Sequence, residues 1–287
     1  MTASDKTTHP KTRKPLNPAA DPAPLQRFLA VFLLLALWQA ASLCLDQKLL
    51  LCSPLDVAKR LLSLWKEPDF FRVVRFSFLR IAGGYLLAFV SGVFLAMLAG
   101  KFRPLEILLQ PLMLTIRSVP VASFIIIALV WLSSGRLSVF ISFLIVLPVI
   151  YGNVLAGIRQ IDPKLLEMAE LFRLSFRKRF LYIWLPAIKS YLFTACSLSL
   201  GMAWKSGVAA EVIGIPAGSM GEKLYEAKAY LNTADLFAWT AVLVLVSLAF
   251  EKLNLWLLKF LYRRLENHGT GSENPGSEPE KKNEPSE

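Results

Sequence analysis

Long apolar runs alternate with short charged segments along this chain. A helix that crosses a bilayer needs about 20 mostly apolar residues. On that measure six spans are predicted, at residues 27–45, 78–100, 105–132, 137–157, 186–205 and 236–258. The third is interrupted by "IRSVP", where Pro120 removes a backbone donor and is expected to kink the helix. Between the first two spans, "SPLDVAKRLLSLWKE" has the pattern of a short interfacial helix. Ser53 is its N-cap, Pro54 its first turn, and Leu55, Leu61, Leu62 and Trp65 its apolar side. Residues 1–26 and 263–287 are polar and are read as disordered tails, because they cannot bury enough surface to fold alone. The expected fold is all-α and polytopic, with one transmembrane domain over 27–262.

Composition supports this. The chain is 55% hydrophobic and only 18% charged, against about 25% charge in ordinary soluble domains. The first apolar run is too long for the core of a signal peptide and lacks a convincing cleavage site. Orientation follows from Lys and Arg, which favour the cytoplasmic side. With the N-terminus inside, cytoplasmic segments hold 18 of the 32 basic residues and outer segments hold 10. Both termini are therefore expected in the cytoplasm, and so is the segment between spans four and five.

That segment, "IDPKLLEMAELFRLSFRKRFLYIWLP", is amphipathic and charged. Asp162 and Pro163 form a helix start. From Lys164 to Phe172, Leu165, Met168, Ala169 and Phe172 line one side. Lys164 with Glu167, and Glu170 with Arg173, are spaced as i,i+3 pairs. Ser175 is positioned to cap a second short helix over 176–183, and Pro186 opens span five. Arg177, Lys178 and Arg179 suit anionic membrane lipid headgroups. An apolar stripe with no soluble core of its own suits a groove on a partner.

Other chemistry is sparse. The only histidines, His9 and His268, lie in the tails, so a histidine-based metal site within the membrane is excluded. Asp162 and Asp235 lie outside the spans or at their boundary, and no acid pair for an intramembrane hydrolase presents itself. Cys44, Cys52 and Cys196 have no metal or disulfide spacing. No metal, cofactor or nucleic-acid partner is expected. A phosphate-binding G-x-x-x-x-G-K-[ST] is absent: before Gly100 and Lys101, Leu95 stands where the first glycine would fall, and Phe102 follows. A motor, if there is one, must sit on another chain.

The loop resembles the EAA loop of binding-protein-dependent ABC importer permeases, whose pattern is E-A-A, three residues, G, nine residues, I-x-L-P. Glu167 and Ala169 match its start, and Ile183, Leu185 and Pro186 match its end. Met168 stands where the first-following Ala is usual, and Arg173 where the Gly is usual. "SFLRIAGGYLLAFVSGVFLAMLAG", "PLMLTIRSVPVASF", "GIRQIDPKLLEMA" and "AWKSGVAAEVIG" are similar to the nitrate/sulfonate/taurine-type branch, over about 50–260. The resemblance implies a coupling helix on which cytosolic ABC ATPase subunits dock, through Glu167, Met168, Ala169, Phe172 and Arg173. It also implies a second permease subunit, an extracytoplasmic substrate-binding protein, and a plasma-membrane location in a prokaryote. The solute would be small, such as a sulfonate, nitrate or taurine-like compound. A secondary carrier or channel is the alternative, and would not need such a loop. At Arg173 the turn is expected either to be built differently or to be absorbed by Leu174 and Ser175, because a left-handed residue other than Gly costs roughly 1–2 kcal/mol.

Three charged residues are candidates for lining a pathway. Arg117 lies about 12 residues into the third predicted span, where ionisable groups are costly and suggest a route for solute. It would equally serve by bonding carbonyls freed at the Pro120 kink or on a neighbouring helix. Lys205 and Glu211 flank the outer end of span five and would not share a face on one continuous helix, though Gly207 is placed to break it. "GIPAGSMG" is then either an ordinary outer loop or an irregular turn lining a cavity.

Overall fold

A computed structural model describes residues 24–45 and 51–270. Among them there are helices and turns but no strand. The chain divides into two compact units near Asp56. The first unit contains α1 (Pro24–Leu45), whose apolar stretch is Phe28–Cys44. In it Ser53 Oγ accepts from the Asp56 amide at 3.1 Å, the expected cap of α2 (Pro54–Leu64).

The second unit is organised around three long helices: α3 (Phe70–Lys101), α6 (Ser134–Arg159) and α9 (Leu185–Gly214). The sequence of α3 explains why they meet. Gly84, Ala88, Gly92, Ala96 and Gly100 recur every four residues, a row of small side chains down one face. A Cβ at Gly84 would stand 2.4 Å from the Val139 carbonyl oxygen, and one at Gly92 3.0 Å from Ile150. One at Gly100 would stand 2.8 Å from Ile158. Rising numbers on α3 thus meet rising numbers on α6, so the two helices run in the same direction. Between apolar helices in lipid there is little hydrophobic drive, and close approach across small residues supplies the contact instead.

Helix α9 runs the other way. Gly157 of α6 abuts Ile188 and Tyr191, and the Ser142 hydroxyl donates to the Ala203 carbonyl at 3.2 Å. Gly207 does not break α9. It is the point where α9 comes against α3 and α6, since a Cβ there would lie 2.6 Å from Ser142 Oγ and 2.7 Å from Ile81. Helix α11 (Thr233–Thr270) joins through an aromatic group in which Phe250 meets the edges of Phe78 (5.3 Å) and Tyr85 (5.7 Å).

The third predicted span is two helices, α4 (Arg103–Ser118) and α5 (Val121–Leu129), bent by 100° at the break. Pro120 is thus the N-cap of a new helix rather than a kink within an old one. Among the described residues four helices are long and apolar enough to cross a membrane, and the bent pair makes a fifth if it counts as one span. The sequence count of six also took in α1, whose apolar stretch is shorter than the rest.

The row of glycines generates a prediction with an internal control. Gly84→Ala places a methyl group against α6 backbone and is expected to lower the melting temperature in detergent, with a cost of about 1–3 kcal/mol. Gly83 has open space where a Cβ would go. Gly83→Ala is expected to be neutral or stabilising, by up to about 1 kcal/mol from helix propensity. Equal effects from the two changes would show that the α3–α6 contact is not the constraint.

Candidate functional site

The charged loop folds as α7 (Pro163–Leu171), a turn, and a short helix α8 (Phe176–Arg179). The Lys164 amide donates to Asp162 Oδ1 at 2.9 Å, which is the cap that the Asp-Pro pair predicts. A single π turn, Phe180–Trp184, then leads directly into α9. The expected second helix over 176–183 is therefore split between α and π geometry and does not stand apart from span five. Pro186 accounts for the widening: it has no N–H to give and its ring crowds the carbonyl four residues back.

The end of α7 is a Schellman turn. The Leu174 amide donates to the Ala169 carbonyl (2.9 Å) and the Arg173 amide to the Glu170 carbonyl (2.9 Å). Arg173 itself takes the left-handed position, with φ of 48°. The turn is thus built as a glycine would build it, and Leu174 and Ser175 do not absorb the departure. The conformational cost at Arg173 is met by the packing beneath: Ala169 is fully buried and clusters with Ile161, Leu166, Leu174, Ile183 and Trp184. Ala169 therefore faces the chain's own core, and its small size serves that contact and not a partner's approach. Glu167, Met168, Phe172 and Arg173 are exposed. Leu165, Met168, Leu171 and Phe172 together form an outward apolar face, Leu171 being 81% and Phe172 70% exposed. Glu170 pairs with Arg179 at 3.6 Å.

Arg117 lies in the last turn of α4 and reaches α6, where its Nη2 donates to the Pro148 carbonyl. Gly152 makes this possible: a Cβ there would stand 2.6 Å from that same nitrogen. A cavity of about 170 Å³ opens beside the guanidinium, lined by Gln110, Arg117, Tyr151, Arg159 and Glu106 among others. Arg159 and Glu106 form an ion pair across it. Toward the α7 end it adjoins a second cavity of about 430 Å³, reaching Arg159 and Gln160.

The other two pathway candidates lie elsewhere. Lys205 is exposed and lines an apolar cavity of about 370 Å³ between α9 and α11. Glu211 is wholly buried between α3, α9 and α10 (Met220–Ala229). Its Oε2 accepts from Ser77 Oγ at 2.6 Å and from the Gly221 amide at 3.4 Å, while the Met220 amide donates to the same serine at 2.9 Å. Gly221 sits directly on the Glu211 backbone, where a Cβ would be 2.5 Å from its carbonyl carbon. The "GIPAGSMG" segment is accordingly a tight turn tied to a buried carboxylate. Neither its partner Ser77 nor helix α10 is expected from the sequence pattern. The signal for α10 was present in "SMGE": Ser219 caps the Glu222 amide at 2.9 Å, and Glu222 reaches back to the Gly218 amide at 2.5 Å. At this end of the molecule Arg60 pairs with Asp235 and with Glu67 (2.8 Å). Lys223 is raised above its ordinary value by its hydrogen bond to Glu226.

Known proteins place these features in a family. A family model described as "Binding-protein-dependent transport system inner membrane component" matches residues 89–267. The bicarbonate transport system permease protein CmpB of Synechococcus elongatus is 26% identical over 66% of this chain and 68% of its own. SsuC of Bacillus subtilis (strain 168), a permease protein whose name assigns it aliphatic sulfonates, is 27% identical over 81% of this chain and 83% of its own. The nitrate import permease protein NrtB of Leptolyngbya laminosa is 29% identical over 64% and 69% respectively. The chain therefore belongs to the binding-protein-dependent transport system inner membrane components, the permeases of ABC importers.

Proposed function

We propose that this chain is the translocating subunit of an ATP-driven importer and that α7 is where a cytosolic ATPase subunit docks. The observation that carries this reading is the outward apolar face of Leu165, Met168, Leu171 and Phe172 on a helix that is itself anchored to the chain's core through Ala169. A helix of nine residues cannot hold such a face rigid by itself. Anchored between the Asp162 cap and the Schellman turn, it can transmit a push to the π turn and α9. Closure of two ATPase subunits on ATP would then move α7 and, through α9, the helices around the pathway. Both termini and α7 lie in the cytoplasm on this reading, in keeping with the excess of basic residues there. A second permease subunit and an extracytoplasmic binding protein complete the assembly. The solute is a small oxyanion: the relatives' names mention bicarbonate, nitrate and aliphatic sulfonates.

Two outcomes test the docking reading. Phe172→Ala and Met168→Glu are expected to weaken retention of the ATPase on purified permease by roughly tenfold or more, as truncating or charging a central apolar contact does. Insertion and accumulation should be unchanged, since neither side chain belongs to the chain's own core. Retention and ATP hydrolysis equal to the parent's would reduce α7 to a solvated loop.

Arg173→Gly is expected to act differently. It relieves a left-handed residue and should stabilise the turn by about 1 kcal/mol. Slower hydrogen exchange at the Leu174 amide would report this, and faster exchange would contradict it.

A further inference from the structure

The cavity between α4 and α6 has the chemistry of a site for a small anion. A guanidinium carries five N–H donors, and the described contacts engage one Arg117 donor, on the Pro148 carbonyl. No carboxylate pairs with Arg117 among the described residues, whereas the second cation at the cavity, Arg159, is neutralised by Glu106. The balance of charge is therefore one uncompensated positive group. A second observation is independent of charge. Tyr151 lines the same cavity and is 5% exposed, and among the described residues its hydroxyl has no hydrogen-bond partner. A buried hydroxyl without a partner is costly. It is tolerated where something else comes to meet it. The wall is shaped for the guanidinium as well, because Gly152 alone leaves room for it against α6.

We propose that Arg117 and Tyr151, with the Gln110 amide beside them, form an anion-binding site part-way along the translocation route. The site takes a small oxyanion of charge −1, such as nitrate, bicarbonate or a short alkyl sulfonate. Arg117 supplies paired N–H donors and the field, and Tyr151 of α6 supplies a third donor. About 170 Å³ is well below the 300–1,000 Å³ of pockets that hold drug-sized ligands, which favours an ion of a few atoms. The neighbouring cavity by Arg159 and Gln160 gives such an ion a way onward toward the α7 end. This inference rests on the importer reading for its direction of travel, but the binding site itself does not require an ATPase.

The test uses the purified full chain in detergent. Its melting temperature is measured against sodium nitrate, bicarbonate and methanesulfonate in turn, with sodium gluconate at equal ionic strength as reference. Binding to the folded state raises the melting temperature in proportion to RT ln(1 + [L]/Kd). The parent is expected to show a saturable rise with at least one of the three anions. Tyr151→Phe should keep the anion-free melting temperature or increase it, and should weaken the apparent Kd about tenfold, the loss expected for a hydrogen bond to a charged group. Arg117→Gln should abolish the rise. A parent that responds to no anion beyond gluconate overturns the site, as does a Tyr151→Phe variant with the parent's Kd. A Tyr151→Phe variant that loses anion response only by losing stability assigns the residue to packing, and overturns it too. A permease that binds anion yet never retains an ATPase would instead contradict the importer reading and leave the site standing.

Discussion

Backbone-to-backbone approach between α3 and α6 is the constraint on which the rest of the molecule depends. The row from Gly84 to Gly100 lets two parallel helices touch along their whole shared length. Once they are fixed, α9 has one place to go, against both of them at Gly207 and Gly157. That placement in turn sets the position of everything with chemical character. It brings Ser77 of α3 to Glu211 of α9, and it holds the Gly152 side of α6 open for Arg117. Both of these polar contacts are positioned by apolar contacts made elsewhere.

The two ends of α9 differ in what they hold. At one end it continues without interruption into the π turn and α8, and only the tight turn over 172–175 separates these from α7. At the other end Glu211 ties the turn over 215–219 and the start of α10 to α3 through Ser77. Removing one partner of a buried, hydrogen-bonded carboxylate is costly in a low-dielectric setting. The turn is thus fastened to the core, and movement of α9 would carry it along. One helix therefore runs from the loop at one end to the buried contact of Glu211 with Ser77 at the other.

The all-α architecture and the α7 segment were legible from sequence because they rest on local rules: apolar length, an Asp-Pro start, an amphipathic stripe. The family pattern was legible for the same reason, since Glu167, Ala169, Ile183, Leu185 and Pro186 stand at fixed spacings. What escaped depends on non-local contact. Ala169 looks like any other member of the stripe until Ile161 and Ile183 are seen to close over it. Gly207 reads as a helix breaker unless its neighbours on α3 and α6 are known. The 100° bend at Pro120 is a matter of tertiary placement, since a proline alone specifies only an interruption. Tyr151 gave no signal at all, because a tyrosine in an apolar run is ordinary and only the missing partner of its hydroxyl sets it apart. Arg173 is the reverse case: the sequence marked the position as unusual, and the structure shows a left-handed turn formed there regardless.

The central claim is that α7 meets an ATPase on the cytoplasmic face while the α10 end faces outward. Photo-crosslinking from two single positions in intact cells tests it directly. A photoreactive side chain at Leu171, 81% exposed on α7, should capture the ATPase subunit. The same side chain at Tyr230, 82% exposed beyond α10, should capture an extracytoplasmic protein and never the ATPase. Capture of the ATPase from Tyr230, or of only lipid from Leu171, would contradict the account.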